Sequence, residues 1–161
     1  MKRTSLADAP CPIARSLDAV GEWWSLLILR DAMLGSTRFD EFQRGIGLAT
    51  NMLARRLQTL VEAGLLERRL YQPRPPRHEY HLTDKGRDFL PVLLAMADWG
   101  NRWLMPEGDF RLVCKDTGAT LHPVLVDRDS GRPIAAARVT PEMTGGAGAR
   151  DVETLHREDV P

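Results

Sequence analysis

Apolar residues recur at helical spacing through the first half of the chain and at strand spacing near its middle. Ile13, Leu17 and Val20 share one side of a helix that Pro12 opens, since proline suits a first helical turn. Gly21 breaks that run. From Trp23 to Leu34 the sequence is apolar nearly all round, interrupted by Arg30 and Asp31, which predicts a core helix ended by Gly35. In "STRFDEFQRGIG", Phe39 and Phe42 form one face of a short helix. Thr37 with Asp40 resembles a capping box, and Gly45 and Gly47 punctuate a turn. "ATNMLARRLQTLVEAG" predicts a helix from about Thr50 to Ala63. Leu53, Leu57, Leu60 and Val61 make its apolar stripe, with Asn51, Arg55, Gln58 and Glu62 opposite. A helix, a glycine-bearing turn and a second helix with a polar outer face is a helix-turn-helix arrangement.

Alternation marks "LLERRLY" and "HEYHL" as strands. The intervening "QPRPPR" cannot donate a full ladder, because proline lacks the N–H, so an extended loop is expected there. Thr83 is placed to cap a helix beginning "DKGRDFL". Pro91 either kinks that helix or opens a new one near Leu90. Leu93, Leu94, Ala97 and Trp103 then lie roughly on one side. Beyond Pro106 the texture becomes β-rich, with Asp-Thr-Gly and Asp-Ser-Gly as turn chemistry. Val113–Gly118 and Val126–Gly131 form a small internal repeat, 13 residues apart. The expected fold is mainly α with a small β-wing, a winged helix-turn-helix, plus a small β-hairpin extension. Its expected parts are a domain over 1–105, the extension over 106–140 and a flexible tail over 141–161.

A length of 161 residues, with 43% hydrophobic and 27% charged, suits one domain with an appendage. No run of eighteen apolar residues occurs, and no apolar stretch follows the charged start, so a cytoplasmic protein without a membrane partner is expected. Net charge is zero but unevenly spread: residues 44–77 hold 7 arginines against 2 glutamates. That is compatible with a local electrostatic footprint for nucleic acid. Cys11 and Cys114 make no disulfide framework, and free thiols are expected. His78, His81, His122 and His156 are scattered, and no Ser/His/Asp, metal-helix or phosphate-loop motif is present. An enzyme is therefore not expected.

A helix-turn-helix sends the early, outward residues of its second helix to base edges in the major groove. Here those are Thr50, Asn51, Ala54 and Arg55, with Gln58 one turn deeper. Arginine can bond guanine, and asparagine adenine, at two points, worth about 1–3 kcal/mol of discrimination per good pair. The alternative is that Asn51, Arg55 and Gln58 are only a solvated face. Arg74 and Arg77 project from the proline-stiffened loop, where little entropy is lost on settling against phosphates. The alternative there is an edge hairpin whose prolines block strand addition. Arg44, Arg68 and Arg69 are further phosphate candidates, unless they pair with Glu67 or Glu79.

The opening Cys-Pro-Ile, the Trp followed by "LLILRDAMLG", then "RFDEF", "RRLQTLVEAGLLERR" and "PPRHEYHLTDKG" resemble the HxlR-type transcriptional regulators, a branch of the MarR-like winged-helix group. The resemblance spans about 100 residues from Cys11. It implies a homodimer reading a pseudo-palindromic operator in double-stranded DNA. It also implies dimer surfaces from the first and last helices, with Pro12, Ile13, Leu17, Leu93, Leu94, Ala97, Trp99 and Trp103 as candidates. Their alternative role is monomer core. Members often carry Gly-Gly-Lys-Trp where this chain has Gly21-Glu22-Trp23-Trp24, and Ser-Pro where it has Ala49-Thr50, which makes Thr50 a candidate cap. Cys11 occupies the cysteine position that some members use for redox sensing. Sensing needs an accessible thiol of lowered pKa; the alternative is an unreactive cysteine at a helix start.

The extension resembles the zinc-ribbon-like tails of some members, but its knuckles read Cys114-x-x-Thr117-Gly118 and Asp127-x-x-Ser130-Gly131. Three of four thiolate positions are gone, so no metal and no cofactor are expected, although Cys114, His122 and Asp127 could form a poor site. The resemblance implies a homodimeric repressor responding to a small-molecule or redox signal. A reading of another class is a winged-helix scaffold that binds no DNA and recruits a protein partner. Steep salt dependence of DNA binding separates the two.

Overall fold

The computed structural model describes residues 6, 8, 11–105, 110–134 and 139. The chain divides into two compact units between Phe110 and Arg111. In the first, helices α1 (Pro12–Val20), α2 (Trp23–Met33), α3 (Phe39–Ile46) and α4 (Thr50–Glu62) precede a hairpin of β1 (Leu66–Pro73) and β2 (Pro76–Leu82). Helices α5 (Asp84–Arg87) and α6 (Leu90–Trp103) follow. This is a winged helix-turn-helix, mainly α with a small β-wing. Ile28 and Leu29 of α2, Phe42 of α3, and Leu53, Leu57 and Leu60 of α4 are fully buried together, with Leu65 and Leu66 closing the base of the wing.

α2 is a core helix on one face only. Ser25, Ile28, Leu29 and Asp31 are buried, whereas Trp23 in the first turn is 74% exposed and meets Trp24 edge-on. Gly45 lets α3 close against α2: a Cβ there would stand 2.5 Å from Asp31 Oδ2. The start of α3 corrects the expected capping pair by one residue. Arg38 is the N-cap, and the Glu41 carboxylate accepts the backbone N–H groups of Thr37 (2.7 Å) and Arg38 (2.9 Å). Glutamate, one methylene longer than aspartate, reaches back from the third helical position. Asp40 instead pairs with Arg44 one turn on, at 3.2 Å. Thr50 does not cap α4. Ala49 holds that position without a side-chain cap, and Thr50 is the first helical residue.

The wing also differs from the expected loop. Pairing starts at Leu66↔Leu82 and reaches Gln72↔Arg77 and Pro73↔Pro76, with an irregularity between Leu70 and Gln72. The prolines are tolerated because they stand at the last pair, beside the Arg74-Pro75 tip, where the ladder ends. Gln72 Nε2 donates to the carbonyls of Arg74 (3.1 Å) and Pro75 (3.2 Å), satisfying the turn. At the base, Tyr80 N–H donates to the Thr37 carbonyl at 2.7 Å, fastening the wing to the start of α3. Thr83 caps α5 as the sequence predicts, its hydroxyl accepting from Gly86 N–H at 3.1 Å. Pro91 opens α6 rather than kinking it. No residue of that 14-residue helix is buried.

The second unit contains two near-identical turns. Gly118 N–H donates to the Cys114 carbonyl and Gly131 N–H to that of Asp127, each at 2.8 Å. Both glycines lie in the left-handed region, at φ 69° and 66°. Each turn carries one isolated antiparallel bridge, Val113↔Thr120 and Val126↔Pro133, with a cross-strand backbone hydrogen bond on either side of it, so each is a short hairpin-like unit. The Asp127 carboxylate accepts from Ser130 N–H (2.8 Å) and hydroxyl (2.6 Å). At the matching place, hydrogen bonds from the Thr117 hydroxyl, then from backbone N–H groups, lower the pKa of the Cys114 thiol. Residues 141–161, expected as a tail, lie outside the described residues.

Candidate nucleic-acid interface

The reading face of α4 is built outward from its buried leucines. Every third or fourth residue, Leu53, Leu57 and Leu60, turns inward, which leaves Thr50, Asn51, Ala54, Arg55 and Gln58 exposed together on the opposite side. Their polar groups are unequally free. Thr50 Oγ1 accepts from Gln43 Nε2 at 2.9 Å, tying the end of α3 to the start of α4. Asn51 Oδ1 accepts the N–H of Met52 at 2.8 Å, so its carbonyl is turned onto its own helix. Gln58 Nε2 donates to Glu62 Oε1 at 2.9 Å. The Arg55 guanidinium has no side-chain partner among the described residues.

On the wing, Arg74 sits at the tip and Arg77 beside it on β2, both exposed. Neither guanidinium has a hydrogen bond or ion pair among the described residues. The other basic candidates are all engaged: Arg44 with Asp40, Arg69 with Glu67, and Arg68 with His78 Nδ1 at 2.9 Å. Glu79 is taken by Arg38 (3.1 Å) and His81 (3.2 Å).

Arg38 is a residue the sequence reading passed over. It caps α3, ion-pairs with Glu79 on β2 and lies over the Tyr71 ring at 4.7 Å, a cation–π contact that holds the wing to the helix pair. The Glu79 hydrogen bond raises the pKa of Arg38, and that same bond lowers the pKa of Glu79. A cleft of about 330 Å³ opens beside this contact, lined by Arg38, Asp40, Tyr71, Arg77 and His78. Its signal in the sequence is weak: one arginine before "FDEF", with its partner on a distant strand. The second missed pair is Glu22 with Arg56, at 3.1 Å. Glu22 stood out in the sequence only as a departure from a basic residue.

The dimer candidates divide into two sets. Pro12, Ile13 (70% exposed), Leu17, Trp99 and Trp103 (66%) stand in solvent. Leu93 packs against the core, and Leu94 and Ala97 are half-buried. Cys11 is exposed at the N-cap of α1, and its side chain makes no capping bond. Among the described residues no group of three His, Cys, Asp or Glu could hold a metal, so Cys114, His122 and Asp127 do not converge. No described helix is long and apolar enough to cross a membrane.

An HxlR-like helix-turn-helix family model matches residues 19–108. The chain is 40% identical over 140 residues to an HTH-type transcriptional regulator of Mycobacterium tuberculosis, covering 86% of this chain and 89% of that protein. Another of Bacillus subtilis is 37% identical over 94 residues, covering 58% and 73% respectively. The crystal structure of PA1607, a candidate transcription factor, superposes with a TM-score of 0.77 at 43% identity, covering 86% of this chain and 98% of that one. The reduced form of the redox regulator HypR superposes with a TM-score of 0.55 at 33% identity, covering 61% and 100%. The family match over residues 19–108, the 40% identity to a regulator it covers almost whole and the superposition on a solved candidate transcription factor show together that the chain belongs to the HxlR-like helix-turn-helix family of DNA-binding transcriptional regulators.

Proposed function

We propose that this chain is a homodimeric, sequence-specific repressor of the cytoplasm, with no enzymatic role, whose DNA affinity answers to a small-molecule or redox signal. The observation that carries the DNA reading is the set of uncommitted guanidiniums. Arg55, Arg74 and Arg77 have no intramolecular partner among the described residues, while Arg38, Arg44, Arg56, Arg68 and Arg69 are all paired. They stand on two elements built on one core, α4 and the wing. In this reading Arg55 contacts a base edge and Arg74 and Arg77 contact phosphates. Asn51 joins them by releasing Met52 N–H.

The dimer reading rests on α6, fourteen residues without one buried, and on the exposed apolar residues of α1. An apolar face of that kind needs a partner, and a second copy suits a two-fold operator. The signal-response reading is supported by the likeness to HypR, a redox regulator, and by the exposure of Cys11. Selection of duplexes from a random pool tests the proposal. The expected result is an inverted repeat with half-sites about one helical turn apart, bound with a steep salt dependence. A chain that enriches no duplex at low ionic strength refutes it. Mass-tagging of thiols after mild oxidant tests Cys11; a thiol left untouched removes it as the sensor.

A further inference from the structure

Arg55 and Arg56 are consecutive on α4, yet their side chains part. Arg55 is exposed, whereas the Arg56 side chain is 14% exposed, with Nη2 3.1 Å from Glu22 Oε2. Glu22 is the N-cap of α2 and, with Gly21, makes the corner between α1 and α2. One ion pair therefore ties the middle of α4 to the corner from which α1 departs. Elsewhere α4 is seated by apolar contacts, chiefly of Leu53, Leu57 and Leu60, and at its first residue by the Gln43–Thr50 hydrogen bond. The leucine stripe decides which face of the helix turns inward, but apolar attraction is non-directional and leaves the fine angle of that face to directional contacts. A charge-assisted hydrogen bond is directional.

The pair is poorly arranged as a stabilising device. Arg56 Nε is buried without a hydrogen-bond partner, and a half-satisfied buried guanidinium loses in desolvation much of what its ion pair gains. Its geometry suits orientation better than stability. We propose that Glu22–Arg56 is the positioning link that fixes the rotation of α4 against the α1–α2 corner and so aims Arg55 at its base. Base-edge recognition tolerates roughly 0.5 Å and 10–20°, so a small roll of α4 is enough to spoil it. Displacement of α1 then reaches the reading face through this pair.

This inference rests on the DNA-binding reading, and the test separates the two. Glu22→Gln keeps the shape and removes the charge. Its affinity for the selected duplex is expected to fall about tenfold, while affinity for a scrambled duplex stays within about twofold; Tm falls too, because Arg56 is left without its counter-charge. Because the loss acts through Arg55, Glu22→Gln combined with Arg55→Ala should cost no more than Arg55→Ala alone. Glu22→Arg with Arg56→Glu should recover most of the affinity; if that variant does not fold, the first cycle decides. The link is overturned if Glu22→Gln binds the selected duplex as wild type does. It is equally overturned if selected and scrambled duplexes weaken together, or if the losses add. A wild-type chain that selects no duplex overturns the DNA reading and the link together.

Discussion

At the scale of single residues, the question is which arginines are free to meet DNA. Arg55→Ala is expected to relax preference at one base position of each half-site by about 1–3 kcal/mol, read as a change in the enriched sequence. Arg74→Ala and Arg77→Ala should instead weaken binding to selected and scrambled duplexes alike, each lowering the salt slope by about 1. Periodicity was enough to show that Arg55 and Gln58 face outward, because the leucine stripe fixes the opposite side of α4. It could not show that Gln58 is held by Glu62 or that Asn51 turns onto Met52 N–H. Those are rotamer choices between near neighbours, and residue spacing carries no record of them. Arg56 has the same chemistry as Arg55 but lies about 100° further round the helix, where its partner Glu22 comes from another element.

Among the elements, helix boundaries were legible from glycine, proline and the apolar stripe, but the capping of α3 was displaced by one residue. Asp40 and Glu41 are both acidic in the first turn; Glu41 caps because it stands third in the helix and has the longer side chain, and the sequence does not mark where the helix starts to within one residue. Backbone N–H bonds from Arg38, then Thr37, lower the Glu41 pKa from its ordinary 4.5. A carboxyl depressed on folding contributes stability that is present above its unfolded pKa and lost as pH falls through its folded one. Glu41→Gln retains an acceptor without titrating. Its stability, followed by denaturant melts, should therefore fall less steeply than that of wild type as pH drops below about 4.5. The junction after the wing gives a second expectation. A Cβ on Gly86 would stand 2.1 Å from the Leu65 carbonyl oxygen. Gly86→Ala should thus destabilise by about 1–3 kcal/mol, as overpacking does, and Thr83→Ala by about 1 kcal/mol through loss of the cap. The paired prolines of the wing tip were illegible, because proline content argues against a ladder and only the register shows that Pro73 and Pro76 stand at its end.

For the whole molecule, the sequence made the winged helix-turn-helix plain, through the order of its elements and the motifs shared with its family. It left open whether the leucines and tryptophans of α6 belong to a monomer core or to an interface. That ambiguity is physical: an apolar stripe looks the same in sequence whichever surface covers it. In the structure Leu93 packs inward while Trp99 and Trp103 stand 57% and 66% exposed. Trp103→Arg is expected to yield a monomer in sedimentation velocity and to lose the inverted repeat while retaining weak, salt-sensitive binding to any duplex. The bare helix also has a consequence for abundance. If a second copy covers α6 as proposed, folding is governed by mass action, and the melting temperature should climb as the protein is concentrated. Under that proposal scarce subunits are both idle and fragile, and the quantity a cell makes sets how long each one lasts.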